Sequence, residues 1–145
     1  MAKKILVKRF DKELPMPEYK TAGAAGFDFS ARETTTIKAG ELARIPINIA
    51  MEIPKGHFLL LAARSSTYKL GLTMINGVGI IDSDYRGDED EISCMVQNYT
   101  KKSVTIEKGT RIAQGVIIKH ERAIWKETKK MRAKTRGGFG TTGHK

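Results

Sequence analysis

An all-β fold is predicted by three features of this 145-residue sequence. Apolar and polar residues alternate over short runs, which is the period of a half-buried strand. Glycine-containing turn signals punctuate those runs, as hairpin loops do, at Lys38-Ala39-Gly40, Pro54-Lys55-Gly56 and Glu107-Lys108-Gly109. No stretch carries the apolar period of a long amphipathic helix. Many short strands at regular spacing point to a sandwich or jelly roll. The length fits one domain with a real core.

In chain order, residues 3 to 10 interleave apolar and basic side chains and read as an opening strand. Leu14-Pro15-Met16-Pro17 breaks the pattern and makes an extended linker. Phe27, Phe29 and Ala31 alternate with Asp28 and Ser30 behind a run of small residues, Ala22 to Gly26. Residues 33 to 38 are Thr-rich and β-branched, as strands are. Ile45, Ile47, Ile49, Met51 and Ile53 alternate strictly with their neighbours, the cleanest half-buried strand in the chain. His57 to Ala63 is strand-like, and residues 65 to 70 read as one or two helical turns with a serine N-cap. Glycines 77 and 79 suit a hairpin whose backbone approaches a ligand. Strands are expected again at 92–97, 103–107 and 110–116.

Composition narrows the partners. The formal net charge of +10 favours nucleic acid, anionic membrane or a polyphosphate substrate, and alone selects none of them. With 40% hydrophobic residues the chain reads as globular. A single cysteine, Cys94, excludes an internal disulfide framework; with no signal-like segment near Met1, it points to a reducing cytosol. No apolar run approaches membrane-spanning length. His57, His120 and His144 are scattered, which speaks against a zinc cluster.

Several segments carry candidate chemistry. Val78 to Ile81 leads to Asp82 at the end of what reads as a buried strand. A carboxylate so placed is a candidate general base, because burial and neighbours tune its pKa. Tyr85 follows and can wall a sugar or base; on its own, the Asp-Ser-Asp-Tyr run also reads as a polar turn between core strands. Arg64-Ser65-Ser66 offers a guanidinium and two hydroxyls beside a helix start, a phosphate cradle or simply a capped surface helix. Residues 119 to 136 hold eight Lys or Arg and two Glu around Trp125, either a nucleic-acid contact or a solvated strand and tail. Arg136 to Gly143 is rich in glycines and hydroxyls, a composition that folds round phosphate or stays disordered.

Taken together these segments resemble the five motifs of the trimeric dUTP pyrophosphatases (dUTPases), in the family's order, over residues 22 to 143. They are Ala22-Gly23-Ala24-Ala25-Gly26-Phe27-Asp28-Phe29-Ser30-Ala31, Arg64-Ser65-Ser66, Asn76 to Gly87, Gly109-Thr110-Arg111-Ile112-Ala113-Gln114, and Arg136 to Gly143. The chain departs from the family pattern at Ala63, where proline is usual, in an interval about three residues longer around Asp88-Glu89-Asp90-Glu91, and at Lys134, where the arm arginine is usual. Arg136 or Lys134 then takes that arginine's place.

The resemblance implies a jelly-roll-like β domain over 1–128, with one short helix after Arg-Ser-Ser, and a mobile basic arm over 129–145. It implies a cytoplasmic homotrimer with shared active sites, acting on dUTP with Mg²⁺, and neither membrane nor specific nucleic-acid binding. The implied reaction is dUTP + water → dUMP + pyrophosphate, limiting uracil in DNA and supplying dUMP. By resemblance Asp82 is the catalytic base. Arg64, Ser65, Ser66, Gln114, Arg136, Thr141 and Thr142 bind phosphate. Asn76, Gly79, Ile80, Ile81, Tyr85 and Phe139 hold uracil and deoxyribose, and Asp28 contacts the metal through water. Arg111 is expected to brace the site by pairing with an acidic residue, and the acidic run to point away from the phosphates. Two other readings stand beside this one. The related dCTP deaminases share the Arg-Ser-Ser and Ile-Asp segments, but three residues before Asn98 this chain has Met95, which cannot shuttle protons, in place of their glutamate. A basic β module that binds nucleic acid would explain the charge, yet the interleaved aromatics of a stacking platform are missing.

Overall fold

The structure, a computed structural model, describes residues 3–143. His144 lies outside the described residues. Eleven strands and one 3-10 turn make up the regular structure of the described residues. The strands are β1 (Val7–Arg9), β2 (Phe27–Ser30), β3 (Thr35–Ile37), β4 (Leu42–Pro46), β5 (Ile49–Met51), β6 (His57–Ala63), β7 (Leu72–Met74), β8 (Gly79–Ile81), β9 (Ser93–Asn98), β10 (Val104–Ile106) and β11 (Arg111–Lys119). The single helical element among the described residues is the 3-10 helix Thr67–Leu70. The fold is all-β and jelly-roll-like, as predicted, and most strands are shorter than their sequence patterns.

Four antiparallel sheets pack together, in strand orders β2-β11-β6-β8, β4-β9-β7, β1-β5 and β10-β3. Among the described strands no two consecutive ones pair, so the expected hairpins are absent. The physical reason lies in the turns. At Gly40, Gly56 and Gly109 the third turn residue alone has positive φ, +76, +77 and +87°. Each turn is closed by a backbone hydrogen bond to the residue three earlier: Glu41 to Lys38, His57 to Pro54, Thr110 to Glu107. Turns of this kind splay the flanking strands, whereas hairpins need the mirror-image turns that follow strand twist. Each therefore hands the chain from one sheet to another.

The long alternating run Ile45 to Ile53 is likewise two strands. It breaks at Asn48, which has a positive φ of 73°. The Asn48 side chain is buried and grips the chain at Asp11, accepting from Asp11 N at 2.6 Å and donating to Asp11 O at 3.0 Å. This corner moves the chain from the β4-β9-β7 sheet to β5, beside β1. Both flanks end in the core, where Ile45 and Ile47 are fully buried and Ile49, Ala50 and Met51 nearly so. Burying each such isoleucine contributes about 1.5–3 kcal/mol, so the corner is held from both sides. Cys94 on β9 is fully buried, and burial pushes its thiol up to about 12, which leaves it a small core residue with no thiolate chemistry.

Asn48→Ala removes both side-chain hydrogen bonds, leaves the Asp11 backbone without its partners and puts a methyl group at positive φ. Urea unfolding should show a loss of about 2–4 kcal/mol, while Asn48→Gly should recover part of that by removing the backbone strain.

Candidate active site

One cluster forms where β2, β11 and β6 lie side by side. Register places Gln114 opposite Asp28 on one side and Ala62 on the other. Asp28 is 16% exposed and uses both carboxylate oxygens. Arg64 Nε donates to Oδ1 at 2.9 Å and Arg111 Nη1 donates to Oδ2 at 2.9 Å. Arg111 thus braces the site through an acidic residue, as expected. Arg64 Nη1 also donates to Ser66 Oγ at 3.2 Å and to the Arg111 carbonyl at 3.3 Å. The guanidinium is therefore fixed in orientation, and Nη2 takes no protein acceptor among the described residues. Gln114 Nε2 donates to the Ala63 carbonyl at 3.0 Å. A Cβ on Gly26 would lie 2.7 Å from Gln114 Oε1, so a side chain there would push the amide out of this position.

The expected serine cap is not made. Ser66 occupies the N-cap position without a side-chain capping bond. Thr67, which the sequence did not single out, does the local work instead. Its hydroxyl accepts from Arg64 N at 2.8 Å and donates to the Ile112 carbonyl at 3.1 Å. Three hydroxyls stand in a row at 65–67, and only burial distinguishes Thr67 as the one turned inward. Ser65 is left exposed, and Ser66, accepting from Arg64, still has a proton to donate.

The second cluster lies on Asn76 to Gly87. It is a crossover rather than a hairpin, since β7 pairs with β9 and β8 pairs with β6. Gly77 turns it with a φ of +72°. Strand β8 is an edge, so one row of backbone N–H and C=O groups from Gly79 to Ile81 faces outward. Gly79 is packed over Leu61, where an added Cβ would come within 3.1 Å. Ile80 is 60% exposed, and Asp82 is exposed too. The expectation of a dry strand end for Asp82 is thus not met in the single chain, because an edge strand has a neighbour on one side only. Tyr85 N donates to the Asp82 carbonyl at 3.1 Å, and its hydroxyl donates to the Glu91 carbonyl at 2.9 Å. The acidic run forms a loop engaged by Lys8 and Arg32, away from Arg64.

These two clusters stand apart within one chain. β8 runs antiparallel to β6, with Ile81 opposite Leu59 and Gly79 opposite Leu61. Asp82 is therefore level with Phe58 at the start of β6, while Arg64 follows its end. Six residue steps of strand separate them, roughly 20 Å. The structure brings Asp28, Arg64, Ser66 and Gln114 together, and it leaves Asp82 and Tyr85 at the far end, with Asn76 before the other end of β8.

The arm joins neither cluster. Ordered pairing ends at Lys119, and His120 N still donates to the Gly56 carbonyl at 2.9 Å. Beyond it nearly every residue to Gly143 is exposed, including Ile124, Trp125, Arg136, Thr142 and Phe139. The tip is nonetheless shaped. Gly138 N donates to Thr141 Oγ1 at 2.8 Å, and Thr141 N and Gly143 N close two successive turns.

No group of three or more His, Cys, Asp or Glu among the described residues could hold a metal ion. Asp28, beside Arg64, has both oxygens on guanidinium groups. Such a donor set does not fit a protein cage for Mg²⁺; it fits only an ion that arrives on a polyphosphate and keeps its own waters. No helix of the described residues is long and apolar enough to cross a membrane.

Comparison with known proteins covers nearly all of the chain. The dUTPase family model matches residues 12–143. The deoxyuridine 5'-triphosphate nucleotidohydrolase of Rickettsia bellii (strain OSU 85-389) is 43% identical over 145 residues, covering 96% of this chain and 95% of its own. The crystal structure of the dUTPase from Streptococcus mutans superposes with a TM-score of 0.74 at 32% identity, over 82% of this chain and 98% of its own. The dUTPase of Staphylococcus bacteriophage 80alpha with dUPNHPP superposes with a TM-score of 0.87 at 26% identity, over 99% of this chain and 100% of its own. The strand topology, the five motifs in order and these relatives together make the chain a member of the dUTPase family.

Proposed function

We propose that this protein hydrolyses dUTP to dUMP and pyrophosphate, as a cytoplasmic homotrimer whose sites are shared between subunits. Its activity would keep uracil out of DNA and supply dUMP for thymidylate synthesis. The observation that carries the shared site is the distance along β6. A triphosphate is far too short to bridge the roughly 20 Å between Asp82 and Arg64 of one chain. Asp82 of one subunit must then meet Arg64 of another. The exposed Ile75, Val78 and Ile80, on β8 and the segment that leads into it, at 48, 44 and 60%, support a neighbouring subunit along this edge.

In this reading Asp82 accepts a proton from water as the water oxygen bonds to the α-phosphorus. The bond from the α-phosphorus to the bridging oxygen breaks, and pyrophosphate leaves. Arg64, Ser65, Ser66 and Gln114 donate to phosphate oxygens as charge develops, with Arg64 already oriented by Asp28. The outward backbone edge of Gly79 to Ile81, with the Asn76 amide, offers fixed donors and acceptors to uracil; cytosine would invert the pattern and leave them unpaired. Tyr85 stands against the deoxyribose. Residues 129–145 act as an arm that closes over the bound nucleotide. In it Phe139 stacks on uracil, Thr141 and Thr142 meet phosphate, and Arg136 or Lys134 supplies the cation. Bound Mg²⁺ would draw charge from the triphosphate oxygens, with Asp28 holding its waters.

Product analysis with purified protein, Mg²⁺ and each nucleotide in turn tests the reading. dUTP should be cleaved far faster than dCTP, dTTP or UTP, and ammonia release from dCTP would point to deamination instead. Asp82→Asn keeps the shape but cannot accept the proton. Its kcat should fall by about 10²–10⁴ with nucleotide affinity retained, and turnover within a few-fold of wild type would place the base elsewhere, with Asp84 the first candidate.

Mixed trimers test the sharing. Asp82→Asn and Arg64→Ala chains should each lose most of their activity alone. Co-refolded, some sites should pair an intact Asp82 with an intact Arg64 from a different chain, and activity should return. Mixed trimers that form and stay dead would mean that each site lies within one chain.

A further inference from the structure

The run after Gly87 contains four acidic residues, and they are not equivalent. Asp88 and Glu89 meet Lys8 at 3.1 and 3.9 Å, with side chains 82 and 85% exposed. Such surface pairs contribute little. Asp90 closes the loop on itself by accepting from Gly87 N at 2.7 Å. Glu91 is different. Its carboxylate is 13% exposed and accepts from Arg32 Nε at 2.8 and 3.1 Å and from Asn48 N at 2.9 Å. The next residue is buried, with Ile92 N donating to the Ile49 carbonyl at 2.8 Å and Ile47 N donating to the Ile92 carbonyl at 3.0 Å. The backbone at 91–92 is thus clamped to the corner at Asn48. Onto this clamped backbone Tyr85 places its hydroxyl, donating to the Glu91 carbonyl at 2.9 Å. Its backbone N–H is bound at the other end to the Asp82 carbonyl. The ring is therefore strung between the candidate base and the frame of the fold.

We propose that Glu91, held by Arg32, is a positioning residue for Tyr85, and through it sets discrimination between deoxyribose and ribose. The inference rests on the dUTPase reading above. A ring fixed at both ends cannot yield to a 2′-hydroxyl, whereas a ring released at its hydroxyl can rotate or shift to admit one. Glu91 touches no substrate in this scheme.

The test is kcat/KM for dUTP and for UTP measured on the same preparation, because their ratio cancels the fraction of folded enzyme. Tyr85→Phe removes only the hydroxyl, and Glu91→Ala removes the carboxylate that ties the receiving backbone to Arg32 and Asn48, leaving that carbonyl held from the Ile92 side alone. Each should lower the dUTP-to-UTP ratio by about three- to tenfold, the worth of one neutral hydrogen bond. Glu91→Gln keeps one acceptor oxygen, which can take both Arg32 Nε and Asn48 N as Oε2 does, and should retain most of the discrimination. The double variant should lose no more than either single one, since both act through the same bond. A Tyr85→Phe ratio within about twofold of wild type overturns the proposal, even if Glu91→Ala fails to fold. Losses that multiply in the double variant overturn it as well. A wild-type protein that leaves dUTP intact would refute the functional reading itself, a result distinct from either of these.

Discussion

The antiparallel pairing of β6 with β8 is the constraint on which the rest depends. It puts the Arg64 cluster at one end of a seven-residue strand and the Asp82 turn at the other. A strand is stiff at this length and rises about 3.3 Å per residue, so no loop motion closes the gap. The same pairing leaves β8 as an edge, with backbone groups free along one side. An unpaired edge is ordinarily a liability, because it invites another strand. Here it is short and flanked by exposed apolar side chains, which suits it to the proposed site between subunits and to reading a planar base by its polar rim.

At the Arg64 end the positive groups are arranged before any phosphate arrives. Asp28 lies between Arg64 and Arg111 and fixes the first while the second braces it. A carboxylate next to a phosphate site looks like a repulsive choice. Its charge is offset by two guanidinium groups, so the cluster keeps a net positive balance while losing the freedom of a long side chain. Gly26 and Thr67 complete the arrangement by different means. The glycine leaves room for the Gln114 amide, and the threonine ties the Arg64 backbone to β11.

The Asn48 corner links fold and site. One asparagine at positive φ joins the Asp11 loop, the Glu91 carboxylate and the switch between sheets. Through Glu91 the same corner reaches the Tyr85 hydroxyl. A residue that looks like one polar position in an alternating strand is thus a junction for three segments far apart in sequence.

Much of this protein was legible in the sequence. Period-two alternation, β-branched runs and glycine turns are local signals, and they gave the all-β class and the approximate place of nearly every strand. The motifs, being short runs with definite chemistry, gave the family and the candidate residues Asp82, Tyr85, Arg64 and Asp28. What stayed hidden was non-local. Alternation at Ile45 to Ile53 is the same whether a strand is straight or broken at Asn48, and the break depends on Asp11 and Glu91, distant in the chain. A glycine turn announces a reversal but not which strand receives the chain, so hairpins and inter-sheet connections look alike. The exposure of Asp82 follows from β8 having one neighbour, and its separation from Arg64 follows from pairing register. Thr67 and Glu91 carry no signal that their neighbours lack; burial and partners alone distinguish them. Local chemistry is written in residue order, while register and burial come from the balance of all pairings at once, and only the tertiary structure decides them.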